Sequence, residues 1–412
     1  MANYLTCDIN VITKGLHGCF FCNKSLYTYL NNNVGKYSLF PVKYNAKLDR
    51  IDIDQEHPVA TIPADLCTKI FFNYKKTMTN SRVNIVSISG REFAYEKKTN
   101  KLLGSVLNNQ TKTVNSYAVD VSMRDAIEEY SNIVLLQKLL GDDYEKYILH
   151  PHENILLYLI LKDDSPPLYE FDRDNRQKTN RYSVPILLSK GCGTRSINLT
   201  KRNINKYITD IIRIFSIIHN KGFVHGDFKI INSVKCGDGY KIIDWGELTN
   251  LQSNHIITCT YIMPIYALYV LYLNRHVETF PVINSWEEMA KYEKMYHNYI
   301  AGSHFIYGGE GHRFAVVSYQ LFYNYYTKHE INVQFIKKKN DEYALAFEIY
   351  IFLLKYISSD EIMDKLFSMM KITANPVKTN TTVVSKSHNI IEKVIMNMYY
   401  LMSPEYLSLV KL

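Results

Sequence analysis

The chain has 412 residues, 47% of them hydrophobic and 21% charged, with a formal net charge of +8. This balance excludes a disordered chain, and the length allows one large domain or two ordinary ones, each with a real core. The positive charge favours acidic partners such as nucleotides, but the lysines are dispersed, which makes nucleic acid an unlikely partner. The one compact run, Lys337-Lys338-Lys339, reads as a solvated face.

Seven cysteines, an odd number without framework spacing, are expected to be reduced thiols in an intracellular, cytoplasmic chain. The N-terminus lacks the basic and apolar regions of a signal peptide. The apolar runs near Ile262–Leu273 and Ile349–Leu354 are too short to span a bilayer, so no membrane span is expected.

In chain order, the first 190 residues alternate short apolar runs with polar turns. Tyr37–Val42, Cys67–Phe72, Val83–Ile88 and Ser183–Leu188 read as strands, and Ala126–Leu140 as the one helix among them. Asp172–Arg181, charged and free of apolar residues, reads as an exposed loop. Ile204, Ile208, Ile211, Ile212, Phe215 and Ile218 then recur at helical spacing, with Gly222 as the stop. Asp341–Tyr356 and Asn389–Met402 also read as helices. The fold class is therefore α+β, strand-rich first and helix-rich second, with the boundary near residues 190–200.

The chemistry concentrates in Val224–Glu247 (VHGDFKIINSVKCGDGYKIIDWGE). Phosphoryl transfer needs a positioned hydroxyl, neutralised phosphate charge and clamped metal ions, and little covalent help. Asp227, on a tight loop, can accept a hydroxyl proton. The amide oxygen of Asn232 and the carboxylate of Asp244, delivered by a hairpin turning at Gly237–Gly239, suit Mg²⁺, which prefers oxygen ligands. Lys229 can steady a γ-phosphate.

This spacing resembles the protein-kinase pattern H-x-D-x-K-x-x-N followed by D-F-G, and implies a divergent member of the eukaryotic-like Ser/Thr protein kinase superfamily. The divergence resembles that of kinases encoded by large DNA viruses, whose compartment would be the host cytoplasm. The implied fold is bilobal: residues 1–192 a strand-rich N-lobe, residues 193–412 a helical C-lobe with an insertion at about 265–340. The implied function is transfer of the γ-phosphate of ATP, with Mg²⁺, to a protein hydroxyl. Asp227 is the implied catalytic base, Lys229 its companion, and Asn232 and Asp244 the metal ligands.

Other segments extend the resemblance. Thr258-x-x-Tyr261-x-x-Pro264 is similar to the end of an activation segment, where the Thr bonds the catalytic Asp and Lys; with Lys229, Thr258 favours Ser/Thr acceptors. Asp341-Glu-Tyr-Ala-Leu-Ala346 resembles the start of the helix whose Asp braces the catalytic loop. Gly15 and Gly18 resemble the glycine-rich loop over the ATP phosphates. Lys69 fits best as the phosphate-binding Lys, with Lys43 competing. Its implied partner is Glu129, with Glu96 the rival. Ser183–Gly193 resembles the strand and hinge that meet adenine through the backbone of Ser189–Gly191.

Gly226 stands where the usual Arg would grip a phosphorylated activation loop, so activity is expected not to require such phosphorylation. Ile265 stands where a Glu would form a buried ion pair. Two other functions compete. A small-molecule kinase of the aminoglycoside or choline type shares His-Gly-Asp and Ile-Asp-Trp but lacks the T-x-x-Y-x-x-P pattern. A pseudokinase scaffold would have no need of Asp227, Asn232 and Asp244.

Overall fold

The structure is a computed structural model that describes residues 11–14, 18–21, 30–32, 35, 37–45, 50–54, 56–60, 62–63, 66–71, 75–88, 91–98, 100, 102–106, 116–149, 151–161, 168–171, 178–181, 183–192, 196–257, 260–299, 311–326, 332–374 and 389–404. The chain is mixed α+β, with strands dominating the first half and helices the second. It divides into two compact units. The first is Met1–Ser196 with Val234–Asp238 and Ile243–Gly246; the second is Ile197–Ser233, Gly239–Ile242 and Glu247–Leu412. The first unit thus takes two short pieces from beyond the expected boundary at 192. Val234 and Ile243 explain the return, because they are buried in an apolar cluster with Phe20, Cys67 and Leu149.

Strands β1 (Val11–Lys14), β2 (Gly18–Phe21), β3 (Tyr37–Asn45), β4 (Arg50–Ile53) and β5 (Leu66–Phe71) open the first unit. β6 (Lys75–Thr79), β7 (Val83–Ile88), β8 (Arg91–Glu96), β9 (Leu102–Val106) and β10 (Ser116–Asp120) follow, and helix α1 (Ser122–Leu140) comes after them. The short helix α2 (Tyr144–Tyr147) leads to β11 (Pro151–Leu161), β12 (Leu168–Phe171), β13 (Lys178–Arg181) and β14 (Ser183–Lys190).

The main sheet runs β1-β2-β5-β14-β11-β3-β4, each neighbouring pair antiparallel. β14 is the central strand with β5 beside it, and Leu66, Cys67, Ile70, Phe71, Ile186, Leu187 and Leu188 on both faces of the two strands are buried. Leu39, Leu66, Ile70, Leu157, Leu159, Ile186 and Leu188, at even spacings wherever two share a strand, pack one core. α1 packs on β5, β11 and β14. A second antiparallel sheet, β6-β10-β9-β8-β7, is inserted between β5 and α1, around Val83, Ala94, Val119 and Val121.

Part of the expected loop Asp172–Arg181 is a strand: β13 pairs with β12, with Leu168 opposite Arg181. Backbone pairing needs no apolar side chain, so the charge of this stretch hid it. The expectation of reduced thiols fails at Cys192 and Cys236, which form a disulfide with Cα atoms 5.3 Å apart. Cys192, just past β14, and Cys236, which ends the strand Ser233–Cys236, lie within disulfide reach of one another.

The second unit is built on α3 (Ile204–Asn220), whose apolar stripe is buried. Gly222 follows at φ +88°, a conformation that ends a helix at no steric cost to glycine. β15 (Phe223–Val224) leads into the loop bearing Asp227. The strands β16 (Ser233–Cys236) and β17 (Gly239–Ile242) flank Gly237, and β18 (Thr249–Asn250) pairs with β15. The expected insertion is largely helical: α4 (Pro264–Leu273), α5 (Trp286–Tyr299) and α6 (Gly311–Tyr326) precede α7 (Val333–Leu353), α8 (Ser359–Ala374) and α9 (Ile390–Met402).

α7 is buried on nearly all sides and packs against α3, α4, α6, α9 and β15. Asn332 caps it, accepting a hydrogen bond from Phe335 N at 2.8 Å. Asp341 therefore lies inside this helix and not at its start, a correction to the sequence reading. The lysine run is corrected too. Lys337 is buried and donates to Ser253 O at 2.6 Å, and Lys339 is buried against Glu342. Both charges found partners inside the helical unit, which a run of lysines does not announce. Among the described residues no helix is long and apolar enough to cross a membrane.

Candidate active site

In the first unit, Lys69 sits on β5 opposite Leu187 of β14 and Phe20 of β2. Its ammonium is ion-paired with Glu129 on α1 and lies 2.7 Å from Asp244 Oδ1. Glu129 is 3% exposed. Asn132, one turn further along α1, donates to the carbonyl oxygens of Trp245 (2.8 Å) and Gly246 (3.2 Å). The helix thus fixes both Glu129 and the residues that follow Asp244. Asp244 itself adopts φ +66°, the left-handed region that a non-glycine residue seldom occupies, and such strain is characteristic of functional sites.

Two carboxylates share one ammonium. Burial alone would lower Lys69, but Asp244 and Glu129 together hold it above its ordinary value. Burial raises Glu129 up to about 7, with Asp244 adding to the rise and Lys69 opposing it. The competing residues lie elsewhere. Lys43, on β3, is exposed and paired with Asp54, and Glu96 lies on strand β8, not on a helix.

In the second unit, Asp227 follows Gly226, which has φ +87°. A Cβ at residue 226 would stand 2.3 Å from Glu247 O, so the loop path admits only glycine where the resemblance expects Arg. Asp341 of α7 holds this turn from below: Oδ2 accepts from His225 N (2.8 Å) and Oδ1 from Gly226 N (3.0 Å). Asp341 Oδ2 is also 3.0 Å from His219 Nε2.

Asp227 Oδ2 accepts from Lys229 Nζ (2.8 Å) and Oδ1 from Thr260 N (2.7 Å). Lys229 also donates to Thr260 Oγ1 (3.2 Å). Thr260 is a described threonine that meets the Asp-Lys pair; the expected Thr258 lies outside the described residues. Two threonines two positions apart bracket Cys259, and the motif spacing alone favoured the first. Asn232 is buried and donates its amide nitrogen to Asp227 O (2.8 Å). This fixes the amide so that Oδ1, the atom suited to a hard cation, is its remaining acceptor.

Of the other expected residues, Gly15 lies outside the described residues, and Gly18 opens β2 opposite Phe71. Ser189 is buried on β14 opposite Cys67, and Gly191 lies beyond the last β14–β5 pairing, Lys190 with Leu66. Among the described residues no three His, Cys, Asp or Glu side chains gather as an all-protein metal centre. Asn232 and Asp244 each carry an oxygen donor of the type that magnesium takes. No protein-family model matches the chain, and no curated protein matches it.

Proposed function

We propose that the chain is a phosphotransferase of the protein-kinase type, moving the γ-phosphate of ATP to a Ser or Thr hydroxyl of a protein. The observation that carries this reading is the ion-paired trio Lys69, Glu129 and Asp244, joined across 60 and 175 positions of sequence. As pure scaffolding it is a poor choice, because well-packed apolar residues stabilise as much as a buried ion pair or more. Its value lies in holding an ammonium for phosphate oxygens.

Each residue then has a role. Glu129 keeps Lys69 extended along its strand. Lys69 meets the non-transferred phosphates. Asp227, with both carboxylate oxygens occupied by donors from Lys229 and Thr260, is fixed in rotamer to take the acceptor hydroxyl's proton. Lys229 neutralises charge on the transferring group. Asn232 and Asp244 would hold magnesium, which when bound supplies the positive charge that the phosphates develop against.

The test is incubation with γ-³²P-labelled ATP and Mg²⁺ in the presence of casein, myelin basic protein, choline or an aminoglycoside. Label on Ser or Thr of the proteins, or on the chain itself, is expected, together with a loss of about 10³-fold or more in Asp227→Asn at unchanged melting temperature. Label on the small molecules alone would move the assignment to a small-molecule kinase. A thermal shift with Mg²⁺-ATP but no label anywhere would make the chain a scaffold.

A further inference from the structure

Asp341 is one of two carboxylates that α7 presents to the loop around Asp227. Glu348 is the other. It lies seven residues later, two helical turns and about 10 Å along the same face. Its Oε1 accepts a hydrogen bond from Ile230 N at 2.8 Å. It is also hydrogen-bonded to the side chain of Tyr261, the neighbour of Thr260. Glu348 is 7% exposed.

A carboxylate buried to this degree is costly unless its oxygens are satisfied, and an apolar residue at this helix position would avoid the cost. The donors it satisfies are informative. Ile230 N belongs to the loop three residues after Asp227 and one after Lys229. Tyr261 belongs to the segment whose Thr260 N and Oγ1 contact Asp227 and Lys229. Asp341 fixes the entry to the loop at His225 and Gly226, and Glu348 fixes its exit at Ile230. Between these two anchors the chain has little freedom to move Asp227.

We infer that Glu348 is a positioning residue, tying Ile230 of the Asp227 loop to Tyr261 of the neighbouring segment so that Asp227, Lys229 and Thr260 keep one geometry. The inference rests on the phosphotransferase reading for its kinetic consequence, while its structural consequence does not. Glu348 touches no reacting atom. Losing it should lower the rate of the chemical step and leave nucleotide binding nearly intact, because Lys69, Glu129 and Asp244 belong to the other unit and Asn232 keeps its own bond to Asp227 O.

The experiment compares Glu348→Gln, Glu348→Met and Tyr261→Phe in the full chain. Amide hydrogen exchange at Ile230 and steady-state phosphoryl transfer to the best protein acceptor are the two readouts. Methionine fills the same volume without an acceptor. Glu348→Met is expected to exchange its Ile230 amide at least about tenfold faster than wild type and to lose about 100-fold in kcat, with KM for Mg²⁺-ATP within about threefold. Glutamine keeps an accepting oxygen, so Glu348→Gln should stay within about fivefold in kcat with Ile230 protected.

Tyr261→Phe keeps the carboxylate and its packing. It should cost about tenfold in kcat, and less than that when added to Glu348→Met, since the two act through one link. Unchanged Ile230 exchange in Glu348→Met, or a kcat within twofold of wild type, overturns the inference. If Glu348→Met does not fold, a Tyr261→Phe kcat within twofold of wild type overturns it instead. A wild-type chain that labels no acceptor defeats the phosphotransferase reading alone, because the exchange readout needs no turnover.

Discussion

The ionic trio of the first unit and the loop of the second are both polar, yet they are satisfied in different ways. Around Asp227 each described acceptor has an identified donor: Lys229 and Thr260 on Asp227 itself, His225 and Gly226 on Asp341, Ile230 on Glu348. Most of those donors are backbone amides of the loop itself, so the geometry is set as soon as the chain folds. Around Lys69, one ammonium serves two carboxylates. That cluster carries excess negative charge, and one member, Asp244, is strained and partly exposed. The Asp227 loop is held mainly by backbone amides, whereas the Lys69 cluster is held by charge pairing.

The comparison breaks first at Lys69. Lys69→Met removes the charge both carboxylates depend on and should reduce phosphoryl transfer by about 10²–10³-fold. Leaving two carboxylates without their cation should also destabilise the first unit by about 3–5 kcal/mol, read as a fall in urea midpoint. Lys43→Met, at an exposed pair, should change neither. Equal losses from the two variants would mean that the ammonium at residue 69 has no special place.

The second unit is tested at Gly226. Alanine there meets the Glu247 carbonyl at 2.3 Å and a φ of +87°, so Gly226→Ala should cost about 3–4 kcal/mol of stability in denaturant unfolding. Without that cost, the loop path could have carried the Arg of the resembling pattern, and its absence would need another reason.

The charge imbalance also has a pH signature. Glu129 goes from an ordinary 4.5 up to about 7 in the folded chain. A raised carboxyl favours folding while protonated, so its contribution is complete below about 4.5 and is lost as pH rises through about 7. Integrated over that window it amounts to roughly 3 kcal/mol. Glu129→Gln should flatten stability against pH between 4.5 and 7. Asp244→Asn should reduce the slope without abolishing it, because burial is the larger cause and Asp244 the lesser. A slope that both variants leave untouched would assign it to other groups.

Much of this was legible in the sequence where one physical signal governed. Val83–Ile88 is a strand over the expected residues, and α3 and its Gly222 stop follow from apolar spacing alone. The sequence offers Lys69 or Lys43 and Glu129 or Glu96, and of these Lys69 and Glu129 are ion-paired. What stayed hidden depended on tertiary partners. The lysines at 337 and 339 look solvated until Ser253 O and Glu342 are beside them. Asp341 looks like a helix start because its brace function is visible and the cap at Asn332, nine residues earlier, has no motif. Glu348 carried no signal at all, since a Glu in a helix is ordinarily a surface residue.

The smallest effect concerns which threonine completes the Asp227 site. The motif spacing implies Thr258, whereas Lys229 Nζ reaches Thr260 Oγ1 at 3.2 Å and Asp227 takes Thr260's own amide. Valine keeps the shape of threonine and removes only the hydroxyl. Thr260→Val should then lower kcat about tenfold, roughly 1.4 kcal/mol in barrier, because Lys229 loses one acceptor while the Thr260 amide still holds Asp227. Thr258→Val should stay within twofold. The reverse pattern would restore the spacing of the motif over the geometry, and with it would shift the segment after Thr260 by two residues relative to the loop. Glu348 would then no longer face Tyr261, so the same pair of variants also probes the link between α7 and the segment.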